Sequence, residues 1–342
     1  MKKMIVSIIS VFILLLVTVG CSSESAGSAD GKTETEDTFS FRIAGQSPDD
    51  HPSTQALYTF AEQVKEKTDG RIQMRIFPAN QLGDYTTVYE ELVRGTIEMA
   101  LISTPSNLDS RLELLYMPYI AKGYNDIVDT HGTDSYVFEV MRELNEELGV
   151  QFLGFHANGF GGLGTTKEIT NLLELGVDKD LLLRVPPMDI FRQPMVDIGF
   201  RTVTIPYADL YTALQTGSAD GWSGGEASLN YLGFRDVIKY YYQTNDFVNV
   251  DSLLMNKELF EKLNDEDRLI IEDLANELML KSFEIAEGDD EKYRKLMEER
   301  GIEVVDLSEE EISKIAEHVR ENTWPNLRGR LGDKIIDELL KQ

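Results

Sequence analysis

From Phe39 to the C-terminus, short apolar runs alternate with segments of helical period, and this order restricts the fold more than anything else in the chain. Ser40–Ala44 reads as a strand. Ser53 is placed to cap a helix in which Leu57, Phe60, Ala61 and Val64 share one face, and Gly70 ends it. Ile72–Phe77 alternates as a strand, Thr86–Arg94 reads as a short helix and Met99–Ser103 as an apolar strand. A helix over Asp134–Leu148 precedes a strand over Val150–His156. Short buried strands at Leu181–Val185 and Thr202–Ile205 flank a helix over Asp189–Ile198. Ala208–Thr216 is a helix stopped by Gly217, Asp265–Glu299 is a long helical stretch with a kink expected near Gly288, and Ser308 with Glu311 forms a capping box. A βαβα order of this kind implies an α/β protein with mainly parallel sheets.

The segment before this region has a different character. Lys2 and Lys3 precede an apolar run from Met4 to Val17, followed by Thr18-Val19-Gly20-Cys21. A basic end, a short apolar core and small residues make a secretory signal, too short to serve as a spanning helix. Cys21 is the chain's one cysteine and falls where cleavage would leave it first. This is the lipoprotein pattern, in which the thiol is acylated and two acyl chains suffice for stable anchoring. Ser22–Thr38 is rich in Ser, Gly, Thr, Asp and Glu without apolar period, and reads as a flexible tether of about 23 Å r.m.s.. The expected organisation is a signal peptide over 1–20, a lipidated Cys21 with its tether over 21–38, and a globular remainder held on the extracytoplasmic side of a membrane. The formal charge is −27, and removal of Lys2 and Lys3 would bring it to −29. An acidic balance of this size argues against nucleic acid as a partner, because phosphate binding needs a basic surface.

Several motifs point towards chemistry. Gly159-Phe160-Gly161-Gly162-Leu163-Gly164 matches the spacing of a dinucleotide loop, but the segment after it is poorly amphipathic. It reads instead as a flexible turn where the chain enters a second domain. Gly221-Trp222-Ser223-Gly224-Gly225 matches the G-x-S-x-G elbow of serine hydrolases, with His318 downstream as a base. The elbow needs a buried strand before it, whereas a helix end and polar turn precede this one. His51, His131, His156 and His318 are too scattered for a helical metal pair, and no EF-hand spacing occurs, so no metal and no cofactor are expected.

The informative motif is Leu181-Leu182-Leu183-Arg184-Val185-Pro186-Pro187, an arginine inside an apolar strand. Arginine is rarely buried unless paired, and the strand holds no acid to pair it. One reading is an inter-strand salt bridge or edge exposure. The other is a carboxylate clamp, in which a rigid fork of donors at a strand end meets an incoming acid bidentately.

At this point the chain resembles the solute-binding proteins of TRAP (tripartite ATP-independent periplasmic) transporters. Pro78-Ala79-Asn80-Gln81-Leu82-Gly83-Asp84 is similar to the family's P-x-x-Q-L-G loop, and Gly95-Thr96-Ile97-Glu98-Met99 to its helix-to-strand passage. Arg184-Val185-Pro186 is similar to the central R-V-P. Ile205-Pro206-Tyr207-Ala208-Asp209-Leu210-Tyr211-Thr212-Ala213-Leu214-Gln215-Thr216-Gly217, with Ala219-Asp220-Gly221, is similar to the family's longest signature, with Asp209 where glutamate is usual. The resemblance implies a type II periplasmic-binding fold of two α/β lobes around a ligand cleft, with a long helix spanning both. Lobe I would take residues 39–157 plus about 250–262, lobe II 158–249, and a helical C-terminal part 263–342 would pack on both.

It further implies a protein without enzymatic activity that captures a small organic acid and hands it to the membrane subunits of a TRAP permease. Arg184 would hold the carboxylate and Tyr207 would pack on the ligand. Gln46, Ser103 and Thr104 would line the opposite lobe, and Phe160, Trp222 and Gly224 complete the expected lining. Leu163 stands where many members carry a second clamp arginine, and Trp222-Ser223-Gly224-Gly225-Glu226 replaces a run that carries a ligand-touching asparagine. These departures favour a monocarboxylate or sugar-acid-like ligand over a dicarboxylate, with Trp222 either against the ligand or in the core. The competing functions are a secreted serine hydrolase using Ser223 and a sensory binding protein without transport.

Overall fold

In a computed structural model of the chain, the structure describes residues 38–341. The expected signal segment, Cys21 and all but the last residue of the expected tether lie outside the described residues. Among the described residues no helix is long and apolar enough to cross a membrane.

Eleven strands are described, and they form two sheets. In chain order they are β1 (Phe39–Gly45), β2 (Ile72–Phe77), β3 (Met99–Ile102), β4 (Val150–Phe160), β5 (Gly162–Thr165), β6 (Leu182–Val185), β7 (Arg201–Thr204), β8 (Gly221–Gly225), β9 (Tyr240–Gln243), β10 (Val248–Asn256) and β11 (Glu303–Asp306). The first sheet runs β2-β1-β3-β10-β4 and the second β11-β9-β5-β8-β6-β7. Each has a parallel part, β2-β1-β3 in one and β8-β6-β7 in the other. The chain leaves the first sheet along β4 into β5 and returns from β9 into β10. Those strands pair antiparallel with their neighbours, apart from the β9–β11 pair. The sheets are therefore mixed rather than mainly parallel, because crossing strands must run both out and back.

Most expected elements occur, with ends shifted by a few residues, the largest shift being β4, which runs past the expected His156 to Phe160. The first helix, Pro52–Lys67, is capped by the His51 side chain and opens on a proline; Ser53 lies inside it. Gly199 and Gly217 stop the helices Asp189–Ile198 and Leu210–Thr216 in the left-handed conformation. The helix Asp265–Glu299 runs through Gly288 without interruption and spans about 52 Å at 1.5 Å per residue. The Ser308–Glu311 capping box is present in both directions.

Two glycine-rich segments differ from expectation. Gly159 and Phe160 end β4 and Gly162–Thr165 is β5, so the G-x-G-x-x-G run is strand, with only Gly161 between sheets. Gly221–Gly225 is β8, in the middle of the second sheet. These glycines serve close packing. A Cβ on Gly164 would lie 2.1 Å from Asn230 Oδ1, and one on Gly225 would lie 2.0 Å from the Trp222 ring.

The long helix ties the core together. Ile271, Leu274 and Ala275 pack under the first sheet with Leu57, Phe60 and Val64. Met279, Phe283 and Ala286 belong to the large central cluster. Tyr293 and Met297 pack under the second sheet with Trp222, Phe234 and Tyr241. Successive turns of one helix thus bury apolar surface against both sheets, each large side chain contributing about 1.5–3 kcal/mol.

Candidate ligand-binding site

The C-terminal ends of β1, β3 and β6 converge on one cavity, the usual place for a ligand on parallel strands. β1 delivers Gln46, β3 Ser103, and the 3-10 turn Ser110–Tyr116 delivers Tyr116. From the other sheet come Arg184 on β6, Gly224 on β8 and Tyr207 after β7, while Asn249 sits on β10 where the chain returns. Apolar groups complete the wall, chiefly Met188, Phe191, Leu229 and Phe247. The cavity measures about 20 Å³, room for one or two waters.

Arg184 is 1 % exposed. Its strand position is fixed by Val203 on one side and Trp222 on the other. Nε donates to Ile205 O at 2.8 Å, which orients the guanidinium, and Nη2 is buried with no hydrogen-bond partner. Arg184 forms no ion pair among the described residues. Burial loosens its hold on the proton, and the nearby Tyr85, Tyr207 and Asp84 work the other way. Burial raises the Tyr85 phenol to about 12 and Tyr207 likewise upward, so both stand as neutral hydroxyls around the cation. An unpaired buried charge is costly, and a carboxylate would relieve it.

Gly224 has a φ of 119°, and a Cβ there would lie 3.3 Å from Pro186 and 3.9 Å from Arg184 Nη1. The bare backbone leaves space beside the guanidinium.

The opposite wall is a polar network. Gln46 Nε2 donates to Ser103 Oγ at 2.8 Å and to Asp251 Oδ1 at 3.1 Å, and Ser103 N donates to Gln46 Oε1. Asp251 accepts from Asn158 Nδ2 at 3.0 Å, and Asn158 in turn bonds His156. Burial lifts Asp251 to about 6 and depresses His156 to about 4. Beside this network lies a buried pair that joins the two sheets' loops. His51 Nδ1 accepts from Ser53 N, which leaves Nε2 to donate to Glu226 Oε1 at 3.0 Å. Ser228 Oγ also bonds Glu226, at 2.6 Å, and Asn249 Nδ2 donates to its other oxygen. Burial acts to raise Glu226, but the bonds from His51 and Ser228 outweigh it and hold the carboxyl below its ordinary value.

Of the eight residues expected at the site, Arg184, Tyr207, Gly224, Gln46 and Ser103 surround the cavity, and Thr104, Phe160 and Trp222 do not. Thr104 bonds Ser252 Oγ of β10 at 2.8 Å. Phe160 packs edge-on against Tyr124 at 5.0 Å. Trp222 is 1 % exposed, packs at a tilt against Phe234 and donates to Asn230 Oδ1 at 2.9 Å. It takes the core role. Leu163 is buried in the central cluster. Tyr85, Tyr116, Phe191, Leu229, Phe247 and Asn249 were not expected at the site. Pro186 and Met188 follow Arg184 closely enough for sequence adjacency to have flagged them.

The hydrolase reading finds no support in the geometry. Ser223 is fully buried with its Oγ unpartnered, and His318 bonds Asp197 O instead. No base addresses the hydroxyl, as a nucleophile requires.

Known proteins share this fold. A family profile described as bacterial extracellular solute-binding protein, family 7 (DctP) matches residues 43–325. The 2,3-diketo-L-gulonate-binding periplasmic protein YiaO of Escherichia coli is 24 % identical over 305 residues, 86 % of each chain. A TRAP periplasmic solute-binding protein of Haemophilus influenzae, solved with L-gulonate, is similar in fold with a TM-score of 0.79 at 21 % identity. That match covers 88 % of this chain and 99 % of the other. The sugar-acid-binding protein DctPAm of Advenella mimigardefordensis, solved with galactonate, gives 0.79 at 22 % identity, covering 89 % and 97 %. The two mixed sheets, the cavity between them and the match over most of the chain lead to one conclusion: the chain belongs to family 7 of the bacterial extracellular solute-binding proteins, the TRAP solute receptors, and is a two-lobed binding protein rather than an enzyme.

Proposed function

We propose that the protein captures a small organic acid by its carboxylate at Arg184 and presents it to a TRAP-type permease. The first sheet with its helices acts as one lobe and the second sheet as the other. The observation that carries this reading is a fully buried arginine on the cavity wall, oriented by Ile205 O, with a free Nη2 and no acidic partner. A carboxylate supplies the missing acceptor and the missing charge together, through bonds worth roughly 1.5–3 kcal/mol each. Tyr207 and Tyr85 border the acid, and Gln46, Ser103 and Asn249 offer donors and acceptors to its other groups.

Pockets that hold small ligands run about 300–1,000 Å³, far above the volume here. Loading therefore requires the lobes to part and close again, with the differential affinity of the ligand setting the balance. With one cation at the cavity and Leu163 in the core, the ligand is a monocarboxylate or sugar-acid-like molecule, in line with relatives solved with gulonate and galactonate. Acylation of Cys21 tethers the receptor to the outer side of the cell membrane. A thermal-shift screen of the domain from Phe39 onward against organic and sugar acids tests the proposal. A binding acid raises the melting temperature through mass action, and the rise disappears in Arg184→Ala. Equal rises in both proteins reject the clamp.

A further inference from the structure

Behind the main cavity lies a second, smaller one of about 10 Å³. Tyr116, Phe191 and Phe247 border both. Their rings meet edge-on or tilted, with centroids 5.1 Å apart for Tyr116–Phe191, 4.9 Å for Phe191–Phe247 and 6.1 Å for Tyr116–Phe247. Tyr116 ends the 3-10 turn Ser110–Tyr116, and buried Glu113 of that turn accepts from Asp189 N and Ile190 N at the start of the helix that carries Phe191, so the partition is held in place from both sides.

Besides the Tyr116 phenol, which accepts from Thr104 N, the inner chamber holds two polar groups among apolar ones. Ser223 is completely buried and Asp246 is 3 % exposed. Ser223 Oγ and Asp246 Oδ1 are both buried without a hydrogen-bond partner. Buried polar atoms are rarely left unpaired, and two on one small chamber call for a common partner. The volume matches a single water-sized group. A hydroxyl fits both needs, since it donates one bond to the carboxyl oxygen and accepts one from the serine.

Resting on the reading of Arg184 as a carboxylate clamp, we propose that the site continues past the ring partition. The inner chamber receives one hydroxyl of the bound acid, held between Asp246 Oδ1 and Ser223 Oγ. The receptor then selects hydroxylated acids, and Ser223 is a specificity residue rather than a nucleophile.

The test is calorimetric titration of the wild type, Ser223→Ala and Asp246→Asn with gulonate, with glucuronate, and with galactonate and its five monodeoxy analogues. The expected result is one hydroxyl whose removal weakens wild-type binding at least tenfold, but weakens Ser223→Ala binding no more than twofold. Ser223→Ala is a small change and keeps the test valid if Asp246→Asn folds poorly. Acids that bind through Arg184 with no such hydroxyl, or a preference unchanged in both variants, overturn the proposal and leave a chamber for buried water only. Failure of every acid to bind overturns the reading of Arg184 together with this one.

Discussion

At the scale of single residues, the site is built from an unsatisfied cation and the empty space beside it. Gly224 supplies that space, and its φ of 119° suits no other residue well. Gly224→Ala strains the backbone and presses a methyl against Pro186. It should destabilise the fold by about 1–3 kcal/mol and weaken acid binding, as read by urea unfolding and titration. An unchanged unfolding midpoint would refute the packing argument. That Arg184 borders a cavity was legible because an unpaired arginine in an apolar strand is conspicuous, and Tyr207, Gln46 and Ser103, named through the resemblance, border the same cavity. Thr104, expected beside Ser103, does not border the cavity; its hydroxyl bonds Ser252 instead. Phe191 and Phe247 look like any core aromatic until the fold brings them together.

At the scale of elements, long helices and alternating strands were read well, while the glycine-rich strands β5 and β8 were not. Glycine has low strand propensity, and these segments are strands because Trp222, Asn230 and the facing backbones need the room. The buried turn around His131 gives a pH test at this scale. His131 is fully buried on a short helix against Phe155, and burial lowers its pKa from 6.5 to about 4. The unfolded chain therefore takes up a proton that the folded one refuses. The contribution is complete above pH 6.5 and is lost as pH falls towards 4. His156, depressed to about 4 by burial and by His51, acts with the same sign. In His131→Phe the acid-side loss between pH 7 and pH 5 should shrink by about 2 kcal/mol, seen by comparing urea midpoints at those two pH values. An identical loss in both proteins would show that His131 is not held neutral.

At the scale of the whole molecule, the two sheets are joined by the crossings at Gly161 and at Thr244–Phe247, by the long helix, and by polar contacts such as His51–Glu226. Such contacts would part in the proposed lobe opening, and Asn249 links the Glu226 carboxylate to the cavity wall. A bound acid that bridges the lobes should shift the population towards the closed form. Small-angle scattering of the domain should then give a smaller radius of gyration at saturating acid than without it. No change would mean that binding does not involve lobe motion.

The account stands on the guanidinium fork of Arg184. Calorimetric titration of the wild type and Arg184→Lys with the acid that gives the largest thermal shift tests it most directly. Lysine keeps the charge but loses the planar pair of donors. The account predicts a loss of affinity of about a hundredfold, on the order of one charge-assisted bond, with the unfolding midpoint little changed. Equal affinity in the two proteins would contradict it.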